Sequence, residues 1–181
     1  MAKENIQAFW GDLYKQLYAE NDASLSPESL ERQIDELEDL FKIREQSCVV
    51  EMPLEDLAGK TVLEIGSGAG GHSCIFKRHG ADVTAVDITP ERVISTAAKL
   101  DMLKGGSGRA MQADAENLPF DDDSFDIVYS NSVLHQLHRY GTLHRRGDPR
   151  AEAGWTGGDH AVFAGVGSVH VQYLAARPDH R

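Results

Sequence analysis

The stretch Val62-Leu63-Glu64-Ile65-Gly66-Ser67-Gly68-Ala69-Gly70-Gly71 decides the fold. An apolar strand runs into a cluster of glycines and then into a helix from about Gly70 to His79, which Gly80 stops. A chain that goes from strand to helix in so few residues must turn sharply and pass close to whatever lies above the turn, and glycine permits both. Outward from this turn the pattern repeats. A strand is expected at Asp82 to Asp87 and a helix entered by Thr89 and Pro90 and running to about Leu103. Further strands are expected at Arg109 to Ala113 and at Phe125 to Ser130. Apolar strands alternating with helices predict a doubly wound, mostly parallel α/β sheet covered on both faces. Upstream, Glu4 to Glu20 reads as helix. Ser26 with Pro27 then caps a second helix that places Leu30, Ile34, Leu37 and Phe41 on one face.

Composition narrows the functional classes. The 181 residues hold 18 Lys plus Arg against 29 Asp plus Glu, a net charge of −11, with 41% hydrophobic residues. These values fit one ordinary globular domain with a small appendage. An acidic chain lacks the clustered cations that nucleic-acid binding needs, so no nucleic-acid partner is expected. No apolar run reaches the length of a membrane span and the first ten residues mix polar with apolar residues, so a cytoplasmic location is expected. Cys48 and Cys74 share no metal-ligand spacing and are read as separate buried thiols. The acidic run Asp121-Asp122-Asp123 is read as a solvated loop, because successive carboxylates point in different directions, and no metal site is expected.

The acids near the glycine turn indicate the ligand. Asp87 ends the strand after the turn, at the spacing where a carboxylate accepts from ribose hydroxyls. Gly66, Gly68 and Gly71 also satisfy the dinucleotide pattern G-x-G-x-x-G, which keeps an NAD-dependent oxidoreductase open as an alternative. Glu64 opposes it: a buried carboxylate beside the turn gives nothing to a pyrophosphate and suits a cation. S-adenosylmethionine has an ammonium, a sulfonium and no phosphate. Asp114, after another apolar strand, sits at the same sheet edge and can accept from an exocyclic amine. Each acid also has a plainer reading, as a turn former for Asp87 and Asp114 and as a carboxylate satisfied by local N–H groups for Glu64.

These residues resemble the class I S-adenosylmethionine-dependent methyltransferases, in particular the small-molecule group that includes the ubiquinone and menaquinone C-methyltransferases. The resemblance rests on four motifs in order: Val62 to Gly70, Val83 to Asp87, Gln112-Ala113-Asp114-Ala115-Glu116-Asn117-Leu118-Pro119-Phe120, and Ser124 to Asn131. It implies that Gly66, Ser67, Gly68 and Gly70 hold the methionine part of S-adenosylmethionine, with Glu64 near its amino end. Asp87 and Ile88 would meet the ribose side, Asp114 the adenine amino group and Ala115 the ring. Ser130 and Asn131 would border the methyl-transfer site, facing a small-molecule acceptor. No catalytic residue is nominated, because methyl transfer depends on alignment and desolvation. His135 is open both as a base and as a polar residue at a helix start.

The tail departs from this pattern. Residues 135–181 hold four acids, six Arg, no Lys and six of the eight His, whereas 25 acids and 12 bases precede them. The resemblance is good to Gln136 and then stops. Back-translating Gly147 to Val162 with permitted codons and reading one base later yields V-I-R-V-L-K-P-G-G-R-A-V-I-T-L-Y, which resembles the family's next segment. The expected organisation is therefore a helical arm at 1–58, a partial cofactor-binding core at 59–136, and a non-family tail at 137–181. The tail is expected to be disordered, with the C-terminal strands missing through a frameshift and one side of a central strand unpaired. Its histidines are then no metal ligands, and a non-catalytic cofactor-binding remnant stays open beside the enzyme. Resequencing the gene across codons 136 to 140 checks this: a relic of the family frame is the expected result.

Overall fold

The computed structural model describes residues 3–52, 54–121, 124–131, 133 and 160–164. Five parallel strands form one sheet in the order β3-β2-β1-β4-β5. They are β1 (Thr61–Ile65), β2 (Asp82–Asp87), β3 (Gly108–Gln112), β4 (Ile127–Asn131) and β5 (His160–Ala164). The helices are α1 (Lys3–Leu17), α2 (Ala19–Ala23), α3 (Pro27–Arg44), the short α4 (Cys48–Glu51), α5 (Gly71–Arg78) and α6 (Pro90–Met102). This is the doubly wound arrangement expected from the sequence. Its order reverses between β1 and β4, so the loops after those strands diverge and leave a crevice at their carboxyl ends.

The two sheet faces carry separate cores. Val62, Val83, Ile127 and Tyr129 pack with Ile75, Phe76 and Leu100 and with Leu30 and Ile34 of α3. Leu63, Ile65, Val86 and Val128 pack on the other face with Phe125, joined by Met111, Leu118 and Phe120. Strand alternation explains the division, since neighbours along β1 point to opposite faces. Both cysteines are buried and free, and burial pushes the Cys74 thiol up to about 12, leaving it inert near neutral pH.

Three expectations change. The helix expected over Glu4 to Glu20 is interrupted at Tyr18, the N-cap residue of α2. The break lets Asp22 accept from Tyr14 Oη at 2.8 Å and from Ser95 Oγ, and pair with Lys99 Nζ at 2.8 Å. The open side expected on β4 is filled: β5 pairs with it in parallel from Ile127↔His160 to Asn131↔Ala164. A row of unpaired N–H and C=O groups on a central strand is a strong template, and the apolar run Ala161 to Ala164 supplies a backbone for it. The absence of every strand after the fourth is thus corrected for one of them. The rest of the tail, His135 included, lies outside the described residues.

The arm is fastened to the sheet by charge as well as by apolar contact. Ser26 caps α3, accepting from Ser29 N at 3.2 Å. Nearly two turns from its end, buried Glu38 pairs with Lys42 Nζ at 2.7 Å, with His79 Nε2 at 3.2 Å and with Arg78. Burial pushes the Glu38 carboxyl up, but hydrogen bonds from Lys42, Arg78 and His79 outweigh it and hold the group down at about 2. A depressed carboxyl contributes stability that is complete above the ordinary glutamate range and lost as pH falls through about 2. Glu38→Gln should therefore cost about 2 kcal/mol at pH 7. The gap to wild type should close as pH falls toward 2, as read from urea unfolding at both ends of the range.

Candidate cofactor site

The glycine turn is built by its attachment to β2. Gly66 N and Ser67 N both donate to Val86 O, at 2.7 and 3.0 Å, so the end of β1 curls over its neighbour. Asp87 then holds the next two pieces of chain. Its Oδ2 accepts from Gly68 N at 2.9 Å and its Oδ1 from Thr89 N at 2.8 Å, while its carbonyl accepts from Ala113 N at 3.0 Å. From behind, Lys99 Nζ donates to Ala69 O at 2.9 Å. Gly66 lies at φ +76°, and a Cβ there would fall 2.1 Å from Val133 Cγ2, so both backbone and space require glycine.

Above this turn lies a cavity of about 280 Å³ at the carboxyl ends of the strands. Of the residues expected from the sequence, Gly66, Ser67, Gly68, Asp87, Ile88, Asp114, Ala115 and Asn131 line it; Glu64 and Gly70 do not. Gly70 sits behind the wall as the N-cap of α5. Glu64, only 1% exposed, points to the α5 side of the sheet, where it accepts from Ser73 Oγ and stands 3.3 Å from His72 Nδ1. His72 is the wall residue, stacked on Phe41 at 5.3 Å between ring centres. Ser130 is also behind the wall, fully buried and donating to Ile65 O at 3.1 Å.

The adenine end expected at Asp114 is a tight turn. Asp114 Oδ1 accepts from Glu116 N and Asp114 O from Asn117 N, both at 2.9 Å, so the plainer reading of this Asp as a turn former is also satisfied. Besides His72 and Val133, the structure adds wall residues that the motifs leave out: Lys3, Ile6 and Trp10 from α1, and Arg92 from α6, whose guanidinium lies 4.8 Å from the centre of the Trp10 ring. Burial pushes the Asp114 carboxyl up, but Lys3 and the Glu116 N–H outweigh it and leave it below the ordinary range. Among the described residues no cluster of His, Cys, Asp or Glu could hold a metal ion, and no helix is long and apolar enough to cross a membrane.

Three buried polar atoms on this wall, Ser67 Oγ, His72 Nε2 and Arg92 Nε, have no partner among the described residues. Polar atoms taken from water are normally hydrogen-bonded, and a polar ligand in the cavity would satisfy these three. Asp87, Asp114 and Glu116 place carboxylates on the wall, beside the apolar Val86, Ile88, Ala113 and Ala115. The fold is of the doubly wound α/β class, with an acid-lined crevice at the carboxyl ends of its strands. Residues 63–146 match the methyltransferase domain family. The match continues past Gln136, where the motifs read from the sequence end.

A phthiotriol/phenolphthiotriol dimycocerosates methyltransferase of Mycobacterium tuberculosis is 40% identical over 82 residues, 44% of this chain and 29% of that one. The chain thus spans under a third of the length of the curated relatives it matches. A crystal structure of an S-adenosylmethionine-dependent methyltransferase from Aquifex aeolicus superposes with a TM-score of 0.52 at 18% identity, over 78% of this chain and 72% of that one. One from Mesorhizobium loti gives 0.50 at 24% identity, over 64% and 50%. These two likenesses establish the fold.

Gly66 and Gly59 share φ +76°, but a Cβ at Gly59 meets nothing within 4 Å. Gly59→Ala should therefore show only the left-handed backbone cost of about 1–2 kcal/mol. Gly66→Ala should lose clearly more in thermal unfolding, because its methyl also collides with Val133.

Proposed function

We propose that this protein transfers the sulfonium methyl group of S-adenosylmethionine to a small-molecule acceptor. The observation that carries the reading is the placement of Asp87 and Asp114 on one cavity wall, just past the ends of β2 and β3, beside the glycine turn that follows β1. When bound, the cofactor supplies an electrophilic methyl carbon. An acceptor nucleophile would bond to that carbon, with the sulfur leaving with the electron pair of the broken carbon–sulfur bond.

The residues of the chain then bind, orient and exclude water. Asp87 has both oxygens on the backbone of the turns, and its remaining lone pairs suit two ribose hydroxyls. Asp114 accepts from the adenine amino group, and Ala115, Ile88 and Val86 lie against the rings. Glu64 acts through His72: with Nδ1–H donating to Glu64, Nε2 is left as an acceptor for the methionine ammonium. Asn131, held by a 3.2 Å hydrogen bond from its Nδ2 to Tyr129 Oη, marks the acceptor side, and Ile6 and Trp10 keep water from the reacting centre. The relatives support a small-molecule acceptor. An NAD-dependent oxidoreductase is disfavoured by the same acids, which offer nothing to a pyrophosphate.

Calorimetric titration of the 181-residue chain, with circular dichroism to confirm folding, should give saturable binding of S-adenosylmethionine and none of NADH. Asp114→Ala should weaken that binding about 10- to 100-fold. Binding of NADH alone would overturn the reading. Transfer of labelled methyl to any small acceptor would exclude a non-catalytic remnant.

A further inference from the structure

The N-terminal helix reaches the adenine end of the cavity with a cation. Lys3 Nζ donates to Asp114 Oδ2 and lies 2.6 Å from Glu116 Oε2. Asp114 Oδ1 is already taken by the Glu116 backbone N–H. Both oxygens of the carboxylate expected to read the adenine amine therefore have donors from the chain itself, and that on Oδ2 is a charged one. The Lys3 side chain is 43% exposed and that of Glu116 9%, so the ammonium enters from solvent and meets acids lying deeper in the wall. The helix that carries Lys3 is independently fixed over the site by the Trp10–Arg92 stack and by a 3.2 Å pair between Lys15 and Glu91.

We propose that Lys3 is an intramolecular competitor for the adenine end of the site, a latch that must let go of Asp114 before an adenosyl ligand can engage it. This deepens the proposed function and rests on its reading of Asp114. An ammonium and an exocyclic amine are both N–H donors seeking the same carboxylate edge, and the ammonium held between Asp114 Oδ2 and Glu116 Oε2 occupies the space from which the amine would approach. The neutral amine is the weaker competitor for an anion. Apparent affinity is then lowered by the fraction of molecules in which Lys3 is docked. Release needs only rotation of the Lys3 side chain, because Trp10 and Lys15 hold α1 in place. Glu116 keeps the cation close when it lets go of Asp114, so the latch re-forms when the ligand leaves. The device discriminates as well: an adenosyl ligand gains Asp114 as acceptor, whereas a purine with an oxygen in place of the amine presents no donor to exchange for the ammonium.

The sign of the effect separates a latch from a support. Titration with S-adenosylmethionine is compared for wild type, Lys3→Ala and Glu116→Gln, each checked for folding by circular dichroism. Lys3→Ala should bind about tenfold more tightly. Glu116→Gln, which keeps Asp114 but takes one partner from Lys3, should move in the same direction by less. The difference between wild type and Lys3→Ala should shrink as salt is raised, since an exposed ion pair is screened. Unchanged or weaker binding by Lys3→Ala would overturn the latch and leave the cofactor reading standing. Loss of S-adenosylmethionine binding in all three proteins, folded, would instead remove the reading on which the latch rests.

Discussion

The site depends on the carboxylate of Asp87. One side chain at the end of β2 accepts the N–H of Gly68, which fixes the turn after β1, and the N–H of Thr89, which fixes the entry to α6. The carbonyl of the same residue accepts from Ala113, just past the end of β3. Three loops that diverge from the sheet are thereby held to one point, and the cavity is the space between them. Hydrogen bonds from N–H groups to a carboxylate are the stronger kind and have fixed directions, so they position as well as attach. A ligand that adds hydroxyl donors to Asp87 joins an existing network.

Behind that point the polar parts divide into two groups. In front are Asp87, Asp114, His72 and Asn131, whose groups face the cavity. Behind them are Glu64, Ser73, Ser130 and Lys99, which hold the front group or the turn in place. The rear group is almost wholly buried, where unpaired polar atoms are costly, and this cost keeps the front group in register.

The glycine turn, the strands around it, Asp87 and Asp114 were legible in the sequence because each is specified within a few residues: glycine by a left-handed backbone, the acids by the end of an apolar run. Three features were not. Glu64 reads as a site acid, but alternation along β1 turns it to the α5 side and puts His72 on the wall. Lys3 and Trp10 meet the site across more than eighty positions of sequence, and nothing local distinguishes them from other residues of an amphipathic helix. The pairing of β5 depends on an open edge of β4 that exists only once the sheet has formed. Contacts created by tertiary closure leave little local trace.

Lys99 ties these layers together. Its side chain is 9% exposed, and its ammonium reaches Ala69 O in the glycine turn, Ser95 on its own helix and Asp22 in the arm. Lifting the arm away would leave that charge under α6 without its counter-ion and would loosen the turn at the same moment. Arm and sheet are therefore one cooperative unit, and amide protons in α2 and in the glycine turn should exchange with solvent through a shared opening event. Inheritance is constrained in the same way: a different N-terminal arm could be grafted onto this sheet only together with a new occupant for position 99.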